Sequence, residues 1–212
     1  MKRYILALFT VILLSTTICA QGFKVKATGV QTFSFKDDQG RNQGTFHSTT
    51  PLEDVDGTAN NITGTVTFDV ANFAKTLKGK IIVEAASINT GINLRNEHMK
   101  SANWLDVKQY PDITFEIKSV SDVKQIADNK LTFKVTGAYT MHGVSKDVTA
   151  DAEAIYLDEN EQTQQRAPGD LLGVKASFKV QLSDYGIKNE IIGSKVAQII
   201  DVTFNAVGTN KF

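Results

Sequence analysis

Residues 62–70 alternate without a break. Ile62, Gly64, Val66, Phe68 and Val70 share one parity, and Thr63, Thr65, Thr67 and Asp69 take the other. An extended chain sends successive side chains to opposite faces, so this stretch buries one face only as a strand. The pattern returns at Ile113, Phe115 and Ile117, then at Leu131, Phe133, Val135, Gly137, Tyr139 and Met141. It returns again at Val148, Ala150, Ala152 and Ala154, at Leu172 through Leu182, and at Ile200, Val202, Phe204 and Ala206. Weaker runs lie at 24–28, 32–36, 45–49 and 80–86. A chain made of such segments must pair them into a sheet that closes or doubles over to hide its apolar face.

Polar or glycine-bearing breaks separate the runs at Asp38-Gln39-Gly40, Asp56-Gly57, Lys78-Gly79 and Asp128-Asn129. Pro51, Pro111 and Pro168 all fall outside the alternating stretches, where a missing N–H does no harm. One segment has helical spacing: Leu94, His98, Ala102 and Leu105 recur between Asn93 and Val107, with Asn93 placed to cap the start. Residues 157–169 are polar and read as a solvated loop. The rhythm of parallel βαβ units is missing, so the fold class is all-β and antiparallel, an up-and-down barrel or a sandwich. A barrel of about eight strands has an interior just wide enough for one small ligand.

The N-terminus stands apart. Lys2 and Arg3 precede an uncharged run from Tyr4 to Ala20 that ends in small and polar residues. That order is the signature of a secretory signal peptide, expected to be cleaved after Ala20. The apolar part is short for a membrane span, which needs roughly 20 residues. The expected organisation is a signal peptide over 1–20 and one domain over 21–212. The expected location is the periplasm, or the exterior if export continues. The only cysteine, Cys19, lies in the leader, so the domain has no disulfide and no thiolate chemistry. The whole chain carries 23 basic and 23 acidic residues, and removing Lys2 and Arg3 leaves a small negative balance. A nucleic-acid partner would demand a basic face, and none is expected. No transmembrane segment is expected beyond the leader, and the oligomeric state is left open, a homodimer included.

Few residues suggest chemistry. His47, His98 and His142 are the three histidines, and no two have the spacing of a zinc motif. Gly143-Val144-Ser145 begins like a nucleophile elbow, but Asp147 stands where the second glycine belongs. Asp54-Val55-Asp56-Gly57 faintly resembles a calcium loop, but its glycine comes too early, and it reads as a solvated turn. Neither a catalytic residue nor a metal site is expected. The small residues on apolar faces are more informative: Ala150, Ala152, Ala154, Gly137 and Ala176. Close packing interlocks large with small side chains, so these positions either leave a cavity or receive the helix. The sequence leaves both open.

The stretch SINTGINLRNEHMKSANWLDVKQYPDITFEI, residues 87–117, resembles the signature of the YceI-like family. Its matching elements are Ser87, Thr90-Gly91, Arg95, His98, Lys100-Ser101, Trp104-Leu105-Asp106, Tyr110-Pro111 and Thr114-Phe115. VTGAYTMHGVSKDV at 135–148 and Asp184-Tyr185-Gly186-Ile187 are similar to two further family blocks. Asn96 stands where the family often has aspartate, Met99 replaces a leucine and Tyr185 a phenylalanine; residues 45–61 match less well. The resemblance implies a lipocalin-like antiparallel barrel with a short helix near its mouth. It also implies a non-enzymatic protein that holds an isoprenoid or other long amphiphile, with no other cofactor. Arg95, Asn96, His98, His142 and Lys146 are then candidates to meet a polar head, or else to brace the rim. Phe68, Phe115, Ile117, Phe133, Val135, Tyr139, Ala150, Ala152, Phe178, Val180, Val202 and Phe204 are candidates to line the lumen. Two other readings stand beside this one. An enzyme acting on such a lipid would set His98 or His142 beside a carboxylate at the cavity wall. A filled barrel serving as an interaction or stress-response module would have side chains meeting across the lumen.

Overall fold

The computed structural model describes residues 22–212, so the expected signal peptide and Cys19 lie outside the described residues. Ten strands follow one another: β1 (Val30–Ser34), β2 (Gln43–Thr49), β3 (Asp54–Ala59), β4 (Ile62–Asp69), β5 (Lys78–Glu84), β6 (Asp112–Ala127), β7 (Lys130–Met141), β8 (Val144–Leu157), β9 (Leu171–Gln181) and β10 (Ile199–Thr209). Three short helices interrupt them: α1 (Phe73–Thr76), α2 (Asn93–Lys100) and α3 (Glu161–Gln164). Every strand pairing is antiparallel, in the order β1-β4-β5-β6-β7-β8-β9-β10, and β1 meets β10 again at Ser34 and Thr209. These eight strands form a closed barrel, as the alternation predicts, and β2–β3 is a hairpin added to the side of β10.

The closure rests on one side chain. β10 pairs with β2 over Asp201–Asn205 and with β1 at Thr209, which leaves Val207 between them. There the fully buried Asn42 acts as a peptide group. Its Oδ1 accepts from Val207 N–H at 2.9 Å, and its Nδ2 donates to the carbonyls of Val207 (3.2 Å) and Phe35 (2.8 Å). Arg166 from the β8–β9 loop donates to the same Oδ1 at 3.0 Å and to Asp37 at 3.0 Å. Arg41 grips Asp37 as well, and this pairing holds the Asp37 carboxyl well below the usual carboxylate range. At the other end of the wall β3 closes against the segment after β5, where Thr58 and Asn89 exchange backbone hydrogen bonds of 2.9 and 2.8 Å.

One end of the barrel is plugged. Residues 22–29 cross beneath it, with Phe23 N–H bonded to Val70 and Lys24 N–H to Asp128, and α1 lies alongside. Phe23, Phe33, Phe68, Phe73, Phe133 and Tyr156 form a continuous ring cluster, with centroids 5.0–5.7 Å apart and mostly edge-on or tilted. Each such pair adds roughly 0.5–1.5 kcal/mol beyond its buried area. The opposite end is the mouth, ringed by α2, the β2–β3 turn, the β7–β8 turn and the long β9–β10 loop.

Several expectations need correction. Residues 24–28 are an irregular crossing segment, because they bond to loops at the base instead of to a neighbouring strand. Asp54–Gly57 is no turn but part of β3. Gly57 lies opposite Phe46, whose ring fills the space where a Cβ would stand, at 2.2 Å. Lys78-Gly79 opens β5 instead of breaking it, with Gly79 (φ 154°) packed tightly on Val66 and Thr65. The helix ends at Lys100, not at Val107. Ser101 N–H and Oγ both turn back to the His98 carbonyl, and irregular turns follow. Ile92 holds its N-cap position with no side-chain cap, so Asn93 is already inside the helix. The 157–169 loop carries α3, capped by Asn160, with Thr163 buried.

Replacing Asn42 with Ala strands the part-buried N–H and C=O of Val207 at once. Each unsatisfied group costs roughly 1–3 kcal/mol. Asn42→Ala is therefore expected to lower unfolding stability by about 3 kcal/mol, read from denaturant midpoints; a loss under about 1 kcal/mol would show that the seam closes without it.

Candidate functional site

The strands that build the wall also set its bore. On β7, Phe133, Val135 and Tyr139 point inward, and their partners on β8 are Ala152, Ala150 and Lys146. Ala152 in turn faces Ala176 on β9, which faces Phe204 on β10. Phe133 and Val135 thus meet alanines on β8, and Phe204 meets one on β9. At Gly137 the gap is used: the Phe115 ring lies 2.5 Å from where a Cβ would be. At Ala150, Ala152, Ala154 and Ala176 it is not. These alanines border a cavity of about 500 Å³ that runs from the plug to the mouth. α2 buries none of its residues and does not descend onto them, which resolves the two options left by the small side chains in favour of open space. The volume falls within the range usual for small-molecule sites.

The cavity wall is hydrocarbon almost throughout. Phe115, Ile117, Phe133, Val135, Tyr139, Ala150, Ala152, Phe178, Val180, Val202 and Phe204 all line it, as the parity of their strands predicts. Phe68 does not. It is wholly buried among Phe23, Phe33 and Phe73 and forms part of the plug. The lining also includes residues that strand alternation did not single out: Trp104 and Leu105 after α2, Ile187, Ile191 and Val196 in the β9–β10 loop, Ile92 at the N-cap of α2 and Leu94 on it. Ile92, Leu94 and Ile191 remain exposed at the mouth. Ile187 and Ile191 are four residues apart in a stretch with no strand pattern, the one signal that could have marked them.

Among the described residues, charged groups reach the cavity only from the mouth. Arg95 on α2 lines it and pairs with Glu53 of the β2–β3 turn at 3.3 Å. His98, one turn further along α2, lines it with an exposed side chain, and Lys195 comes from the β9–β10 loop. The other three head-group candidates are held elsewhere. Asn96 knots the start of α2 to the preceding loop: its Oδ1 accepts from Thr90 N–H (2.7 Å) and Thr90 Oγ1 (2.9 Å), and its Nδ2 donates to Asn89 (2.9 Å). His142 occupies a two-residue hairpin turn with Gly143, both at positive φ (51° and 73°), the geometry of a type I′ turn. His142 Nδ1 and the Tyr185 carbonyl lie 2.9 Å apart, and its ring packs edge-on against Tyr110 at 4.9 Å. Lys146 is exposed and does not line the cavity. The arrangement sought for an enzyme, one of these histidines beside a carboxylate at the wall, is not what surrounds His142, whose partner is a backbone carbonyl.

His47 lies away from the cavity, on the outer face of the hairpin. Its Nδ1 is 2.7 Å from Asp56 Oδ1, which raises its pKa. Among the described residues no three His, Cys, Asp or Glu side chains are grouped to hold a metal ion. No helix among them is long and apolar enough to cross a membrane.

The tyrosines record how dry the interior is. Burial pushes the Tyr185 phenol up to about 12, with Asp184 adding to the rise, and raises Tyr139 and Tyr156 further. A raised folded-state pKa leaves stability unchanged while both states stay protonated. Stability is then lost as the unfolded chain ionises first. Unfolding free energy is therefore expected to be level up to about pH 10 and to fall from there through about pH 12. Tyrosinate absorbance should rise for these three residues only with that loss; early ionisation of all tyrosines in the folded protein would contradict the dry interior.

Comparison with known proteins follows the same lines. The family model of the YceI-like domain matches residues 23–208. Protein YceI of Escherichia coli O6:H1 is 30% identical over 155 residues, spanning 73% of this chain and 74% of that protein. Burkholderia cenocepacia BcnA superposes with a TM-score of 0.63 at 20% identity, over 81% of this chain and 99% of that one. A polyisoprenoid binding domain from Saccharophagus degradans superposes with a TM-score of 0.59 at 12% identity, over 87% and 99% respectively. At these identities the two structures establish a shared fold.

Proposed function

This chain belongs to the YceI-like domain family, and we propose that it binds a long-chain amphiphile of isoprenoid type in its lumen, without chemistry, as a periplasmic carrier or reservoir. The observation that carries this reading is the cavity: hydrocarbon-walled, closed at the base by six aromatic rings, and open where its few charged groups stand. A chain moved from water into such a space gains roughly 0.8 kcal/mol per buried CH₂. The polar end stays at the mouth, where Arg95, His98 and Lys195 are within the lining and water is near. Support also comes from the fold neighbour named as a polyisoprenoid binding domain. The filled-barrel alternative needs side chains that meet along the whole lumen. Here they do so in the basal plug, and the alanine wall above it leaves space.

Native mass spectrometry of the purified protein, followed by organic extraction, tests the reading. A bound long-chain species is the expected result; a bare protein that takes up no isoprenoid lipid would overturn it. Narrowing the bore gives a second test. Ala152→Phe together with Ala176→Phe fills the hollow beside Phe133 and Phe204. Losing room for only two methylenes weakens binding about tenfold, so at least that loss is expected, with the thermal midpoint held close to wild type.

A further inference from the structure

Tyr139 is the one residue of the inward face of β7 that brings a hydroxyl into the lumen. It lines the cavity and is 7% exposed. Its ring stands edge-on to Phe178 at 5.2 Å and to Tyr185 at 5.5 Å, so its position is fixed by packing. Its hydroxyl has a single hydrogen-bond partner among the described residues, the Met141 sulfur at 3.7 Å. A thioether is a weak acceptor, and a buried phenol ordinarily finds an oxygen or nitrogen. The donor strength of this O–H is therefore largely unspent, in a space otherwise walled by carbon.

The environment also says what would satisfy it. Among the described residues, the groups that line the cavity and are charged near neutral pH or can become so, Glu53, Arg95, His98 and Lys195, all come from the mouth loops and α2, and Arg95 is already paired with Glu53. An anion carried down to the strands would leave water without a cation to meet it, which is costly. A neutral oxygen has no such penalty and gains a bond that the empty protein lacks.

We propose that Tyr139 determines specificity: the lumen's ligand carries an uncharged acceptor oxygen, a carbonyl, ether or hydroxyl, that the Tyr139 hydroxyl hydrogen-bonds. Oxygen-bearing isoprenoids are thereby selected over plain hydrocarbons of the same length. The inference rests on the lipid-binding reading above and specifies its ligand. Burial keeps the phenol protonated, and so able to donate, throughout the neutral range.

The single tryptophan, Trp104, lines the cavity and reports binding by its fluorescence. Wild type and Tyr139→Phe are each titrated with geranylgeranyl methyl ether and with the corresponding hydrocarbon. Differences in how the two probes dissolve cancel when the ether-to-hydrocarbon affinity ratio is compared between the proteins. That ratio is expected to fall about three- to tenfold in Tyr139→Phe, through weaker ether binding, with hydrocarbon affinity maintained. An unchanged ratio, with both probes still bound, overturns the role of Tyr139 and leaves the lipid-binding reading standing. Failure of wild type to bind either probe overturns both. Tyr139→Phe keeps the ring and its contacts, and a matching thermal midpoint confirms that the fold is unaltered.

Discussion

A sheet that curls into a tube has to join its last strand to its first, and here that join passes through the amide of Asn42. β1 and β2 share one edge of β10 but do not abut, and Val207 falls in the interval. An amide side chain has the donor and acceptor of a peptide bond, so it can stand in for the missing residue of a strand. Everything inward of the seam depends on this. A gap in the ladder would expose polar backbone to the lumen and let water along it, and a wet lumen offers an apolar chain little gain. The Asp37, Arg41 and Arg166 network around Asn42 supports the join from outside and ties the β8–β9 loop to it.

Strand alternation was legible because it follows from geometry alone. The inward parity of β7, from Leu131 to Met141, is the same in sequence and in structure, since its hairpin partner β8 holds it in one unbroken register and the irregularities of the β6 pairing fall on β6. The alanines of β8 were legible as a question, and only the position of α2 could answer it. Other features were hidden for physical reasons. Asp54, Asp56 and Gly57 have poor strand propensity, and β3 exists because β2 offers a ladder and Phe46 covers the glycine. Asn42 looks like any loop asparagine, and its partner Val207 is 165 positions away. Phe68 has the right parity for the lumen, but parity does not tell height along the barrel, and at its height the bore is full of rings. His142 carries a head-group's chemistry by residue type, yet the turn it occupies commits its ring to Tyr185 and Tyr110.

The interior thus divides its apolar groups between two tasks. Below, aromatic rings meet one another and hold the barrel together. Above, aliphatic, alanine and a few aromatic side chains pack against their neighbours in the wall but border open space on the lumen side, and the stability forgone there is what a ligand can return. The charged residues that line the cavity, among the described residues, are kept to the rim, where solvent reduces the cost of carrying them.

The aromatic plug has a consequence for traffic. A tube sealed at one end has a single door, so whatever part of a flexible molecule enters first must leave last. A tail driven in by its aversion to water would rest against Phe133 and its neighbours, and the opposite terminus would stay nearest the opening. On the lipid-binding reading proposed above, an acceptor that emptied the barrel would take hold of that terminus first and draw the chain out in reverse order, past the exposed Ile92, Leu94 and Ile191.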